Sequence, residues 1–172
     1  MKEFLIPKDM PKHEALKAHA ARYPDLDPSA VETCIALVRV AGEMIGGFSE
    51  HFARHGTSQG RFIIMILLNR DPDQSLSPSE LAEMSSVSRA TVTGLLDGLE
   101  SEGLVKRVPT ASDRRSHSIL LTAKGKRFMN KMLPDHFKRM AGLMSELNEN
   151  ERKQLIELLF KVRAGLDALR LP

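Results

Sequence analysis

The residues best placed to do chemistry in this 172-residue chain are cations, and the chemistry they fit is phosphate binding. From Gly103 to Arg127 the cations are Lys106, Arg107, Arg114, Arg115, Lys124, Lys126 and Arg127, against the single acid Asp113. The whole chain carries a formal charge of only +3, so its positive charge is concentrated in this segment. A basic patch confined to one stretch is the footprint of a phosphate-binding surface. A solvated charged face is the alternative. Arg114 and Arg115 sit together in a polar tip, Ala111–Ser116. An arginine presented on such a tip fits a narrow minor groove, where the potential is most negative. Arg115 is expected to insert, with Arg114 on the backbone. Asp113 is expected to orient an arginine through a charge-assisted hydrogen bond.

The pattern disfavours an enzyme. It contains no Gly-rich phosphate loop, paired nucleophile and base, or metal cluster. Asp113, Ser116 and His117 lie too close together on one hairpin to imitate a triad. His51 and His55, four residues apart, have the spacing for two ligands of one metal. No clear third ligand is nearby, so neither a metal nor a cofactor is assigned. One cysteine, Cys34, excludes an internal disulfide framework and fits a reducing cytoplasm. No run of about 18 apolar residues is present, so no membrane span is expected. Met1–Pro11 lacks the pattern of a signal peptide. A soluble, cytoplasmic protein is the expectation.

Several elements must position the basic segment. A short helix is expected over roughly Lys12–Arg22. Asp27-Pro28 reads as an N-cap followed by a first-turn proline, opening a long helix to about His55 that Gly56 stops. Thr57 or Ser58 caps a second helix through Phe62–Leu68, ended by Asp71-Pro72. Ser77 and Glu80 form a capping box for a short helix to about Ser85. Ser88 caps the next, whose stripe of Val92, Leu95, Leu96 and Leu99 is buried and which Gly103 ends. Leu104–Val108 and His117–Leu121 alternate as the strands of a hairpin. Thr122 caps a helix from Ala123 to about Ser145, bent at Pro134. Asn148 and Glu151 start a last helix with the apolar stripe Leu155, Leu158, Leu159, Val162, Leu166 and Leu169.

Helix, short turn, helix, then a basic hairpin is the order of a winged helix-turn-helix. The expected fold is therefore mainly α with a small β-wing. In such a unit the second helix enters the major groove of double-stranded DNA. At 100° per residue, Ala90, Gly94 and Asp97 lie opposite the buried stripe, with Arg89, Thr91 and Thr93 on the flanks. Ala90 and the threonine methyls suit thymine methyls, and Arg89 suits guanine or a phosphate. Glycine in a helix is unfavourable by about 1 kcal/mol relative to alanine. Gly94 thus fits a close approach to DNA, or is merely tolerated, or packs against another helix. The DNA-contacting set is Ser86, Ser88, Arg89, Ala90, Thr91, Thr93 and Gly94, with Arg107, Asp113, Arg114 and Arg115 from the wing.

From about Asp27 to Leu169 the chain resembles the MarR (multiple antibiotic resistance regulator) family. Asp113-Arg114-Arg115 through Leu121-Thr122-Ala123-Lys124-Gly125 is similar to the family's wing, Asp-x-Arg, a hydrophobic strand, then Leu-Thr-x-x-Gly. Leu81-Ala82, Ser88–Thr93 and Leu99-Glu100-x-x-Gly103-Leu104-Val105 resemble its two helices and the approach to the wing. The N-terminal extension and His117-Ser118-Ile119 look more like the branch that represses multidrug-efflux pumps.

The resemblance implies a homodimeric repressor on a palindromic operator, with half-sites about one DNA turn apart. The apolar stripes at both chain ends exceed what one small winged helix can cover, which independently favours a two-fold dimer. Residues 1–56 and 123–172 are then dimerisation helices flanking a winged helix-turn-helix over 57–122. The resemblance also implies release of DNA by a small, phenolic or aromatic effector between these parts. Met44, Phe48, Phe52, Phe62, Met65, Phe128 and Met132 suit an adaptable apolar lining, and His51 or Arg61 an anion. Ordinary core packing explains the same residues. Two alternatives stand beside this reading. One is a thiol-based redox sensor of the same fold using Cys34. Peroxide-sensing relatives support that thiol with tyrosines, whereas Tyr23 is the only tyrosine here, so Cys34 is expected to be buried and inert. The other is a winged-helix module for protein contact, which should lack a basic wing.

Overall fold

The computed structural model describes residues 13–71, 75–109 and 117–169. They form α1 (His13–Ala20), α2 (Pro28–Arg54), α3 (Gln59–Leu68), α4 (Pro78–Ser85), α5 (Arg89–Ser101), β1 (Val105–Pro109), β2 (His117–Leu121), α6 (Ala123–Leu143) and α7 (Glu149–Ala164), then a 3-10 turn, Leu166–Leu169. The fold is mainly α with a small β-wing, as the order of start and stop signals predicts. Two compact units are present, Met1–Ile63 and Ile64–Pro172.

In the first unit α1 packs on α2. The Asp27 carboxylate starts α2 by accepting from the backbone N–H groups of Ser29 and Ala30 at 2.9 and 3.1 Å, two donors that no helical carbonyl can reach. The Ser29 hydroxyl and these backbone groups together hold the Asp27 carboxyl below its ordinary pKa. Gly56, at φ +70°, takes the left-handed conformation that closes the helix. Phe52 lies between Phe48 and Phe62, with ring centroids 6.2 and 4.9 Å away. One expectation is overturned here, because Cys34 is exposed. Burial was expected because Tyr23 is the only tyrosine that could support a reactive thiol, but the first half of α2 is only partly covered. Val31, Ile35 and Val38 are half-buried, and Val40 and Ile45 are exposed.

The second unit is organised around α4 and α5. The Ser77 hydroxyl accepts from the Glu80 N–H, and the Glu80 carboxylate accepts from the Ser77 N–H at 2.7 Å, completing the capping box. That backbone bond, with the Ser77 side chain, lowers the Glu80 pKa. α4 closes on Ser86 in the left-handed region at φ 55°. The Ser88 hydroxyl then accepts from the Thr91 N–H and opens α5. Val92, Leu96 and Leu99 are buried with Leu81, Ile119, Leu121 and Met129, and Leu95 is half-buried.

Gly103, at φ +67°, turns the chain out of α5 into β1. β1 and β2 pair antiparallel, from Val105 opposite Leu121 to Pro109 opposite His117. β1 begins one residue later than the alternation predicts because Leu104 serves the helix end. Its N–H donates to the Leu99 carbonyl, and its carbonyl accepts from the Thr122 N–H. Leu76 adds a one-residue third strand, exchanging both backbone hydrogen bonds with Ile119 at 3.1 and 2.7 Å.

The start of α6 grips the end of α5. The Thr122 hydroxyl accepts from the Gly125 N–H and donates to the Gly103 carbonyl at 2.6 Å. The Lys124 ammonium donates to the Glu102 carbonyl at 2.6 Å, meeting the negative end of the α5 dipole. A Cβ on Gly125 would stand 2.1 Å from the Leu104 carbonyl oxygen, which is backbone and has no rotamer to escape into. Pro134 lies inside α6. α7 starts on the Asn148–Glu151 capping box, yet buries none of its residues, and Leu158 and Phe160 are 56% and 61% exposed.

Alanine ordinarily improves a helix over glycine by about 1 kcal/mol, but at position 125 the sign reverses. Gly125→Ala is expected to destabilise the protein by about 2 kcal/mol through overpacking, read as a lower midpoint in urea unfolding. A midpoint that stays or rises contradicts this close approach.

Candidate nucleic-acid interface

The turn between α4 and α5 and the first two turns of α5 carry the expected DNA-contacting residues. Ser86, Ser88, Arg89, Ala90, Thr91, Thr93 and Gly94 are all exposed. Their shared orientation follows from the opposite side of α5, where Val92, Leu96 and Leu99 are at most 1% exposed. Burying that stripe fixes the rotation of the helix about its axis, so the small residues face outward together.

The hydroxyls on this face are engaged locally. Ser88 Oγ and Thr91 Oγ1 are 2.8 Å apart, and the Thr93 hydroxyl donates to the Arg89 carbonyl at 3.0 Å. Arg89 is exposed, and its guanidinium makes no ion pair among the described residues. A Cβ built on Gly94 meets nothing within 4 Å. Among the described residues no other helix packs against Gly94, which leaves close approach by an external partner or simple tolerance.

The basic segment separates into working groups. Asp113, Arg114 and Arg115, with the rest of the wing tip, lie outside the described residues. Lys106 and Arg127 are exposed without an ion-pair partner among the described residues. Lys124 is committed to the Glu102 carbonyl. Arg107 is also committed. One guanidinium nitrogen lies 2.5 Å from the Asp97 carboxylate and the other 3.3 Å from that of Glu100, so it belongs to an ion-pair cluster and is not a free cation. Of this cluster only Arg107 is among the expected site residues, and there as a DNA contact. Its members are ten and seven positions apart on different elements, a separation with no local periodicity.

The candidate effector-lining residues fall in both units. Met44 and Phe48 are half-buried, His51, Phe52 and Phe62 are buried, and Arg61 is half-buried in the first unit. Met65 and Met132 are fully buried and Phe128 half-buried in the second. Within the first unit the His51 ring approaches Phe52 at 5.4 Å and His55 at 5.0 Å. No described helix is long and apolar enough to cross a membrane.

Comparison with known proteins agrees with this geometry. The sequence model of the MarR family matches residues 58–117, which span α3, α4, α5 and β1. The HTH-type transcriptional repressor YetL of Bacillus subtilis (strain 168) is 36% identical over 88% of this chain and 91% of its own length. The crystal structure of the transcriptional regulator PA3341 superimposes with a TM-score of 0.63 at 28% identity, over 77% of this chain and 96% of that one. MepR of S. aureus, crystallised in complex with DNA, shares the fold at a TM-score of 0.68 and 21% identity, over 77% and 95% of the two chains. With its winged helix-turn-helix, its Leu-Thr-x-x-Gly clasp and a relative of this identity along most of its length, the chain belongs to the MarR family.

Proposed function

We propose that the protein is a homodimeric transcription repressor that binds double-stranded DNA through α5 and the wing. One observation carries the reading. α5 turns the small residues Ala90, Thr91, Thr93 and Gly94, with Arg89 beside them, to solvent, while its large apolar residues Val92, Leu96 and Leu99 are buried and Leu95 is half-buried. Such a face fits the floor of a major groove, where bulkier side chains would hold the helix off the bases. The wing arginines Arg114 and Arg115 are assigned to the adjacent minor groove. YetL's description as a repressor and the DNA complex of MepR support the reading of a DNA-binding repressor.

The dimer is assigned to the terminal helices, residues 1–56 and 123–172, around a winged helix-turn-helix at 57–122. In a single chain α7 and the 3-10 turn after it expose apolar side chains from Ile156 to Leu169. An apolar surface of that extent is stable only when covered, and a two-fold axis covers both copies at once. Two recognition helices related by that axis read a palindromic site. Release by a small aromatic effector completes the proposed cycle. It requires a ligand that binds one spacing of the two recognition helices better than the other.

Two substitutions test these assignments, using as probe a duplex selected from random-sequence DNA by the wild-type protein. Gly94→Ala should raise the unfolding free energy by about 1 kcal/mol and weaken binding to that duplex; a stabilised protein with unchanged affinity contradicts close approach at this turn. Leu158→Glu combined with Val162→Glu should give a folded monomer in sedimentation. It should also weaken binding by roughly a hundredfold as the two half-sites uncouple. A doubly charged variant that stays dimeric contradicts the placement of the interface on α7.

A further inference from the structure

We infer that Arg107 is a positioning residue for sequence reading. By bridging Asp97 and Glu100 it locks β1 of the wing to the outer face of α5, and is thereby withheld from the phosphates. The inference rests on the DNA-binding reading above and deepens it.

The geometry is specific. Asp97 and Glu100 are three apart on α5, so their carboxylates are neighbours on the helix surface. The planar guanidinium of Arg107 reaches both, at 2.5 Å to Asp97 Oδ1 and 3.3 Å to Glu100 Oε2. Glu100 holds the backbone as well, because the Arg107 N–H donates to its other oxygen at 3.3 Å. Side chain and main chain of one strand residue are thus tied to one helix. Arg107 also pairs with Ile119 in the strand ladder, and Ile119 with Leu76. The tie therefore reaches all three strands that carry the wing.

Magnitudes decide what the bridge is for. The Arg107 and Asp97 side chains are 33% and 59% exposed. Exposed pairs contribute about 0–1 kcal/mol to stability, so the fold does not depend on this one. Its electrostatic consequence is larger. Asp97 lies on the outward side of α5 in line with Ala90 and Gly94, where an unbalanced carboxylate would repel DNA phosphates. Arg107 neutralises one of the two carboxylates and fixes where the other points. A cation spent in this way adds nothing to sequence-independent attraction. It contributes orientation, which separates the correct site from all others.

Arg107→Gln and Arg107→Lys in the full chain test the inference, with binding measured over a range of salt concentrations. The probes are the selected duplex and a scrambled duplex of the same length. Arg107→Gln should lower affinity for the selected duplex about tenfold and leave the scrambled duplex within about twofold. Arg107→Lys should behave like Arg107→Gln, because a point charge cannot span two carboxylates. Free of DNA, both variants should exchange the β1 amides faster than wild type. Equal loss on both duplexes, a salt slope reduced by about one and rescue by lysine would overturn the inference and make Arg107 a phosphate contact. If the wild-type chain selects no duplex, the DNA-binding reading fails by itself. Exchange at β1 then decides the bridge alone, and unchanged rates overturn it.

Discussion

The carbonyl of Leu104 is where the second unit is held together. It accepts from the Thr122 N–H, and it lies so near Gly125 that no side chain fits between them. Around it Thr122 bonds Gly103 and Lys124 bonds Glu102. The last residues of α5, the first of β1 and the first turn of α6 are thus one rigid knot of backbone contacts. Because backbone carbonyls cannot rotate away, a movement of α6 is transmitted to α5 and to the root of the wing. The proposed response through the spacing of two recognition helices would need this kind of stiff connection. Leu-Thr-x-x-Gly is therefore best understood as a mechanical motif: the threonine caps one helix while bonding the end of another, and the glycine permits the approach.

Charge is divided in the same spirit. A count of cations between Gly103 and Arg127 suggests one uniform phosphate-binding patch, but the structure gives them different duties. Lys124 closes a helix terminus and Arg107 braces a strand, whereas Lys106 and Arg127 face solvent. On the proposed reading, affinity for DNA would come from the free group and specificity from the geometry that the committed group maintains. The acids on α5 are consistent with this division, since Asp97 and Glu100 both hold Arg107.

Much of the fold was legible in the chain because its helix ends are written in short-range chemistry. Asp27 with Pro28, Ser77 with Glu80, Ser88, Thr122, and Asn148 with Glu151 each satisfy N–H groups within three residues of themselves, and all five mark true helix starts. The outward face of α5 was legible for a related reason, since Val92, Leu96 and Leu99 repeat at the helical period. What escaped is what depends on distant residues. Leu76 pairs with Ile119 as a single residue, too short to show any alternation. Arg107 finds its partners on another element. Cys34 stands among half-buried neighbours on α2 and is itself exposed, because residue types specify a face and not what covers it. The exposed stripe of α7 is the same problem in reverse, a strong periodic signal that no described residue covers.

The central claim is that a MarR-family chain of this sequence reads DNA with the exposed face of α5. Hydrogen exchange of the wild-type protein, with and without a duplex it has selected from random-sequence DNA, tests that claim most directly. The account predicts that protection appears at the amides of Ser86 to Gly94 and in the wing strands, while α7 is unchanged. Protection confined to other helices, with Ser86 to Gly94 exchanging as in the free protein, would contradict it.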